Sequence, residues 1–313
     1  MVSVLRKIGF SIIISLLSLS LLAACSNNGD GAGANEEGKV RVVSSFSVLH
    51  DVVQNVGGDL VEASFLTPIG EDPHEFEPTP STFQLISDAD LLIFNGFNMD
   101  YWIQGLAQNA QSNATEVIVT QGVESIPLSA DAGEMAGMED PHAWLDPKNV
   151  MIYAENIKDA LVQADPDHAD QYEANLKDYL AELEELDTWI KEEVEQIPAG
   201  QRMVIISESA LKYFARGYDF QYNSIWEINA HEEGSPRQIE NLINVIEENE
   251  IPAVFLETSV NPSAMERVAS EAGIEIAGRV YTDSVGGSGT GAETYIDMMK
   301  RNVETFVEGL TGN

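Results

Sequence analysis

The apolar residues of this chain fall into short runs that alternate with segments of helical period. Four runs rich in β-branched residues occur before residue 120, and four more occur after residue 200. They cover residues 40–44, 61–66, 91–94, 117–119, 203–206, 221–226, 253–256 and 274–281. Strands that alternate with helices favour parallel sheets with helical crossovers. The pattern therefore predicts an α/β protein with two similar lobes.

A long polar segment between the two lobes predicts one continuous helix over residues 166–199. Pro166, with an acidic residue on either side, suits the first turn of a helix. Apolar residues then recur at spacings of three or four, at Leu176, Leu180, Leu183, Leu186 and Ile190. About 30 residues at 1.5 Å each give a rod of roughly 45 Å, long enough to run along both lobes. A coiled coil between two chains is the alternative for a helix of this length.

The first 24 residues have the pattern of a secretory signal. Two basic residues precede an apolar run at residues 8–22, which leads into the sequence LAAC ending at Cys25. The run is too short for a confident transmembrane span. Small residues before a cysteine resemble the bacterial lipoprotein signal, in which Cys25 becomes the lipidated first residue. A plain signal with an incidental cysteine is the alternative. Residues 25–38, rich in Gly and Asn, are expected to form a flexible tether.

Charge and length narrow the class of protein further. The chain has 16 basic and 52 acidic residues, a formal net charge of −36, and such a surface repels nucleic acid. Cys25 is the one cysteine in the sequence, so a disulfide within the chain is impossible. The 289 residues that follow the signal (313 − 24) favour two domains. We expect an N-terminal lobe at 39–165, a connecting helix at 166–199 and a C-terminal lobe at 200–313.

Four side chains are expected to form a metal site at the strand ends. The tetrapeptide EDPH occurs twice, ending at His74 and His142, in loops beyond the second and fourth predicted strands. In the second lobe, Glu208 follows one apolar run closely and Asp283 follows another. Ligands of open α/β sheets bind at the carboxyl ends of the strands. Two imidazoles and two carboxylates suit a divalent first-row ion and balance its charge.

The Asp-Pro pair before each histidine has a physical explanation. Proline restricts its own backbone and favours an extended residue before it, so the imidazole is presented from a stiffened loop. The aspartate could also accept the second ring N–H of the histidine. A single DPH tripeptide is more often a turn with an exposed histidine. Two copies at comparable strand ends favour the metal site.

Five segments together resemble a known family. GEDPHEFEPTP, DPHAWLDP, SESALKYFARGY, IWEINAHEEGSPRQI and VYTDSVG are similar to motifs of the metal-binding lipoproteins of bacterial ABC importers for manganese, zinc and iron. The resemblance covers nearly all of the chain after the signal. It implies two α/β lobes with mainly parallel sheets, bridged by one long helix, with the metal buried in the interdomain cleft. The ligands that it implies are His74, His142, Glu208 and Asp283.

The same resemblance implies partners and a location. We expect a monomer that delivers its ion to an ABC permease with its ATPase, and that is held by a lipid at the extracellular face of the bacterial cell membrane. One acyl chain binds a membrane reversibly, and stable anchoring takes more than one. The rigid connecting helix predicts small lobe motions when the ion binds.

The resemblance also favours manganese over zinc. Zinc-specific relatives usually have a third histidine where this chain has Glu208, and often a His-rich acidic loop before the second ligand motif. Here that stretch reads SADAGEMAGMED and has no histidine. Hard carboxylate oxygen suits Mn²⁺, and bidentate carboxylates can raise the coordination number above four. Zn²⁺ and Fe²⁺ stay open, because zinc binds a site of two nitrogens and two oxygens more tightly than manganese.

The other polar candidates have ordinary explanations. His50 is expected to pack on the first helix, and His168 to be solvated at the start of the connector. His231 neighbours two glutamates in a loop that could lie near the cleft or the permease, but a ligand role is disfavoured. Glu257 could support the site, although capping of the next element is favoured. Trp144, like other aromatics near the site, is expected to shield the cleft.

An enzyme is not expected. A catalytic zinc site keeps a position open for water, whereas this chain offers four protein ligands and no HExxH or nucleophile elbow. A metallohydrolase is therefore the weaker alternative. A surface adhesin would fit the lipid anchor, but the sequence has no repeats or stalk.

Overall fold

A computed structural model describes residues 38–228 and 234–312. The predicted signal peptide, Cys25, nearly all of the tether and His231 lie outside these ranges. The described residues from Lys39 onward belong to one compact unit. Within the described ranges, no helix combines the length and the apolar character needed to cross a membrane.

The N-terminal lobe is built on a four-stranded sheet in which every pairing is parallel. The spatial order of its strands is β2-β1-β3-β4. Its strands are β1 (Val40–Ser44), β2 (Val61–Phe65), β3 (Leu91–Phe94) and β4 (Thr115–Ile118). Its helices are α1 (Ser47–Gly57), α2 (Pro80–Asp88), α3 (Trp102–Asn109) and α4 (Pro147–Ala164). Each of the four predicted strands is present to within two residues at either end; β1 and β3 are buried inside the sheet, and β4 lies largely exposed at its edge.

The C-terminal lobe repeats the alternation with two parallel strand pairs, β5-β6 and β7-β8. Its strands are β5 (Met203–Glu208), β6 (Gln221–Trp226), β7 (Ala253–Glu257) and β8 (Glu275–Val280). Its helices are α6 (Lys212–Tyr218), α7 (Pro236–Glu248), α8 (Ser263–Ala272) and α9 (Tyr295–Thr311). The strands β5 and β7 lie side by side although they form no backbone ladder. The mainly parallel α/β fold with two lobes is thereby confirmed.

The connecting helix, α5 (Ala169–Val194), is shorter than the predicted segment. A 3₁₀ turn at Pro166–His168 precedes it. At the other end, the N–H groups of Gln196 and Ile197 bond to the carbonyl groups three residues earlier, so the helix tightens and stops before Pro198. Its 26 residues give a length of about 39 Å. The helix packs against α1 and α4 of the N-terminal lobe and α9 of the C-terminal lobe.

The apolar residues of α5 belong to a core that extends through both lobes. Leu176, Leu183, Leu186 and Ile190 are buried, and Leu180 is partly exposed. The same hydrophobic cluster includes residues of β1 and β3 from the first lobe and of β5, β8 and α9 from the second. The helix is therefore an integral part of the core of the protein.

Candidate metal centre

His74 lies in a short 3₁₀ turn, Pro73–Glu75, beyond the end of β2. Asp72 caps the turn, because its Oδ1 atom accepts the backbone N–H of His74 over 2.7 Å. Proline at the first turn position fits this geometry, since its missing N–H needs no partner there. Asp72 thus fixes the backbone at His74, whereas the sequence had suggested that it accepts the imidazole N–H.

His142 is fully buried and immediately precedes a second 3₁₀ turn, Ala143–Leu145. The chain before it doubles back on itself, and the N–H of Asp140 donates to the carbonyl of Ile126 over 2.8 Å. Here the predicted outer contact is present. The Asp140 Oδ1 atom lies 3.1 Å from His142 Nδ1 and accepts the backbone N–H of His142 over 3.0 Å. A proton on Nδ1 leaves the Nε2 lone pair free for an ion.

The two predicted carboxylates are buried at the strand ends of the C-terminal lobe. Glu208 is the last residue of β5, and Asp283 lies three residues beyond the end of β8. The Asp283 Oδ2 atom accepts hydrogen bonds from Ser259 and Thr282, at 2.8 and 2.7 Å. Within the described part of the chain, Glu208 Oε1 and Asp283 Oδ1 have no hydrogen-bond partner. One oxygen of each carboxylate is therefore buried without a donor.

The free donor atoms of all four side chains converge near His142 Nε2. That atom lies 3.4 Å from His74 Nε2, 3.5 Å from Glu208 Oε1 and 3.6 Å from Asp283 Oδ1. Donor atoms of His74, His142 and Glu208 all lie within 4.8 Å of one another. Donors at about 2.1 Å from a tetrahedral ion are about 3.4 Å apart. The three distances from His142 Nε2 therefore match those between donors that share one first-row ion.

The pKa values of this cluster favour exchange of protons for a cation. Burial, and then the nearby His142, lower the pKa of His74 to about 4, which favours neutral imidazole. Burial raises the pKa of Glu208 well above its usual range, and Asp283 raises it further. Burial alone would lower the pKa of His142, but Asp140 and then Glu208 together raise it to about 9. Metal ions bind the deprotonated forms of these side chains, so loading is expected to release protons from the cluster.

Three supporting residues were missed or underrated by the sequence analysis. Lys212, at the start of α6, lies 2.8 Å from Asp140 Oδ2, and the hydroxyl of Tyr213 donates to the Asp140 carbonyl over 2.7 Å. Glu257, at the end of β7, accepts the backbone N–H of Glu208 over 2.8 Å. Capping of the next element was the favoured role for Glu257, and it is wrong. The position of Glu257 at a strand end was the signal that could have found this contact.

The remaining candidates have ordinary surroundings. His50 lies in α1 and packs against Phe65, with ring centroids 4.8 Å apart. His168 is exposed, and its Nδ1 atom lies 2.7 Å from a carboxylate oxygen of Asp165. Trp144 packs against His142 and is fully buried, as expected of a residue that shields the site.

The fold is that of solved periplasmic metal-binding proteins. Residues 42–309 match the family model described as "Zinc-uptake complex component A periplasmic". The chain belongs to this zinc-uptake component A family. The match covers both lobes and all four converging side chains.

Relatives similar over their whole length include two named for manganese. The manganese-binding lipoprotein MntA of Halalkalibacterium halodurans is 47% identical over 307 residues, which are 98% of this chain and 100% of the relative. The manganese ABC transporter substrate-binding lipoprotein PsaA of Streptococcus pneumoniae serotype 4 is 36% identical over 312 residues, covering 98% of this chain and 99% of the relative.

Solved structures of similar fold carry different metals. A Mn-bound periplasmic metal-binding protein from Candidatus Liberibacter asiaticus has a TM-score of 0.79 at 30% identity, with 87% of this chain and 100% of that chain covered. A Cd-bound form of that protein has a TM-score of 0.78 at the same identity and coverage. The periplasmic zinc-binding protein TroA from Treponema pallidum has a TM-score of 0.81 at 24% identity, covering 87% and 99%, and it shows the fold alone.

Proposed function

We propose that this protein is an extracytoplasmic solute-binding lipoprotein that captures Mn²⁺ and delivers it to an ABC permease. The observation that carries the proposal is the convergence of four donor atoms from two lobes, with His142 Nε2 3.4 to 3.6 Å from the other three. We propose His74, His142, Glu208 and Asp283 as the ligands. The ion is cargo, and the protein supplies a buried site that exists only where both lobes meet.

Manganese is favoured over zinc by the chemistry of the donors. Two carboxylates neutralise the charge of a divalent cation, and each can bind through one or two oxygens, which gives access to coordination numbers above four. Glu208 occupies the position at which a third imidazole would favour zinc. Several relatives are named for manganese, although the family description names zinc. Zinc and iron are the alternatives, since zinc is expected to bind tightly at equilibrium.

Delivery requires a permease with its ATPase and a membrane anchor. Relatives over the whole length of the chain are named as ABC transporter substrate-binding lipoproteins. We therefore propose lipidation at Cys25, an extracellular position on the cell membrane and a monomeric binding protein. The predicted boundaries, with lobes at 39–165 and 200–313 and the connector at 166–199, belong to the same proposal.

The geometry favours binding over catalysis. Four protein donors around one point leave little room for the water that a hydrolytic metal site activates. Net proton release on loading is the chemistry that the site supports, because burial raises the pKa of Glu208 and the neighbouring carboxylates raise the pKa of His142. An adhesin or a metallohydrolase has no comparable support.

Metal titration and transport together test the proposal. Metal-free protein is titrated with Mn²⁺ and with Zn²⁺, and one ion per chain is expected. His142→Ala and Glu208→Ala should each lose binding by about 100-fold or more, because loss of a residue that only orients a ligand already costs about 10- to 100-fold. His168→Ala is the matched control, because its imidazole is exposed and its carboxylate partner is Asp165, which is not one of the four proposed ligands. Glu208→His should shift preference towards Zn²⁺.

Uptake by cells completes the test. Deletion of the gene should abolish high-affinity Mn²⁺ uptake, and the wild-type chain should restore it where His142→Ala does not. Uptake that is unchanged by the deletion would remove the importer proposal. Delivery of zinc as productive as that of manganese would remove the manganese assignment alone.

A further inference from the structure

Lys212 is a buried cation next to the proposed metal centre. It begins α6 in the C-terminal lobe, and only 3% of the residue is exposed. Its Nζ atom lies 2.8 Å from Asp140 Oδ2 and 2.6 Å from Glu227 Oε1. A buried lysine is costly unless it is paired, so two carboxylates at these distances show that its charge is held there.

Asp140 connects this lysine to a proposed ligand. One oxygen of Asp140 faces Lys212, and the other lies 3.0 Å from the backbone nitrogen of His142 and 3.1 Å from its Nδ1. Asp140 is fully buried, and its carbonyl accepts a hydrogen bond from Tyr213 of the same helix. The C-terminal lobe therefore holds both the carboxylate and the backbone of a residue that orients a histidine of the N-terminal lobe.

We propose that Lys212 is a positioning residue for metal capture, acting on His142 through Asp140. It fixes the Asp140 carboxylate so that its Oδ1 atom accepts a hydrogen bond from the Nδ1–H of His142 and the Nε2 lone pair faces the ion. The contact crosses between the lobes, so it couples lobe position to ligand geometry. This inference rests on the proposed metal site.

Removal of Lys212 has two opposite effects on metal affinity, so the direction of the change distinguishes charge repulsion from positioning. A cation close to a bound dication repels it, so loss of the charge alone would tighten metal binding. Loss of positioning would weaken it, because contacts that orient a ligand are worth about 10- to 100-fold in metal affinity. Positioning predicts that Lys212→Met binds Mn²⁺ and Zn²⁺ more weakly by about tenfold or more.

The matched control is Lys158→Met. Lys158, on α4, is partly exposed and also faces two carboxylates, those of Asp159 and Glu173. Its replacement removes one cation and two ion pairs from the same protein without touching Asp140. The control should keep its metal affinity within about threefold, since exposed ion pairs contribute little. Affinities are measured for both metals by competition with a chromophoric chelator.

A spectrum separates positioning from loss of stability. Co²⁺ serves as the probe, because its d–d absorption reports the geometry of its ligands. In fully loaded Lys212→Met the bands should shift from those of the wild type, and in Lys158→Met they should not. The double variant Asp140→Asn/Lys212→Met should bind no more weakly than Asp140→Asn alone, because the two residues act in series.

Each outcome decides the inference. Unchanged or tighter binding by Lys212→Met overturns it, as does weaker binding with an unchanged Co²⁺ spectrum and additive losses. If Lys212→Met does not fold, the metal affinities of the double variant and of Asp140→Asn are compared instead. The double variant avoids the cost of a buried carboxylate at position 140 without its cation. A wild-type chain that binds neither Mn²⁺ nor Zn²⁺ would contradict the proposed function itself, whereas tight wild-type binding with an unaffected Lys212→Met contradicts only the role of Lys212.

Discussion

Glu257 holds the backbone of Glu208, with 2.8 Å between the Glu257 Oε1 atom and the Glu208 nitrogen. The two residues end the adjacent strands β7 and β5. Both are almost completely buried, and burial raises the pKa of Glu257 to about 7. Glu257 thus holds the backbone of the proposed ligand Glu208 in place through this hydrogen bond.

Replacement of Glu257 should separate its hydrogen bond from its charge. Glu257→Ala leaves the N–H of Glu208 without an acceptor and frees the strand end, so Mn²⁺ affinity should fall by about tenfold. Glu257→Gln keeps an acceptor oxygen and should stay within about threefold of the wild type. Competition with a chelator measures both. Equal losses in the two variants would show that charge, and not the hydrogen bond, matters.

Trp144 contacts the chain next to two proposed ligands, His142 and Asp283. Its indole N–H donates to the carbonyl of Thr282 over 2.6 Å, and its ring packs against His142 with centroids 5.3 Å apart. Trp144→Phe keeps most of the ring but leaves a buried carbonyl without this donor. The free energy of unfolding should fall by about 1 to 3 kcal/mol, and Mn²⁺ affinity should fall with it.

Urea unfolding of the metal-free protein checks the effect of Trp144→Phe on stability. Trp189→Phe, on the partly exposed surface of α5, is the matched control and should have a smaller effect. A larger loss in the control would contradict the role given to the Trp144 hydrogen bond.

Two buried aspartates away from the metal centre predict how stability depends on pH. Burial raises the pKa of Asp51 and of Asp100 to about 6, above the usual value of 3.8. Each carboxyl binds its proton more tightly in the folded chain than in the unfolded one. The associated stability is therefore present at low pH and is lost as the pH rises from about 4 to about 6. Two pKa units correspond to about 3 kcal/mol for each group.

Denaturant unfolding of the metal-free protein at several pH values in this window measures the slope. Asp51→Asn removes one titrating group and should flatten the profile, whereas Asp59→Asn, at an exposed position, should leave it unchanged. A steeper profile in Asp51→Asn would contradict the assignment.

The connecting helix should contribute to the stability of both lobes. Leu183 in α5 is fully buried in the core cluster that contains residues of both lobes. Leu183→Ala should cost about 2 to 5 kcal/mol, because it leaves a cavity in a packed core. Leu180→Ala, at a partly exposed position of the same helix, should cost less. Both lobes should unfold in one transition, and separate transitions would argue against a shared core.

The strands were predictable because their apolar runs are short, β-branched and separated by helical segments. The predicted span 91–94 and the observed β3 are the same, and so are the predicted span 221–226 and β6. The convergence of His74, His142, Glu208 and Asp283 followed from their positions at or beyond strand ends, since parallel strands bring those ends to one edge.

The contacts that support the site could not be predicted in the same way. Lys212 stands in the sequence SALKYF, and a lysine there would ordinarily be assigned to the surface of a helix. Its pairing with Asp140 depends on how the two lobes face each other, and the local pattern of apolar and polar residues carries no information about that. The end of α5 at Val194 was also missed. Pro198 disfavours helical backbone in the residue before it, and the chain already tightens into a 3₁₀-type turn after Val194.

The most direct test of the account is the position of Mn²⁺ in crystals of the loaded protein, located by anomalous scattering at the manganese edge. We expect one peak within about 2.0 to 2.4 Å of His74 Nε2, His142 Nε2, Glu208 Oε1 and Asp283 Oδ1. A peak elsewhere, or one that leaves any of these four side chains more than about 3 Å from the ion, would contradict the proposed site.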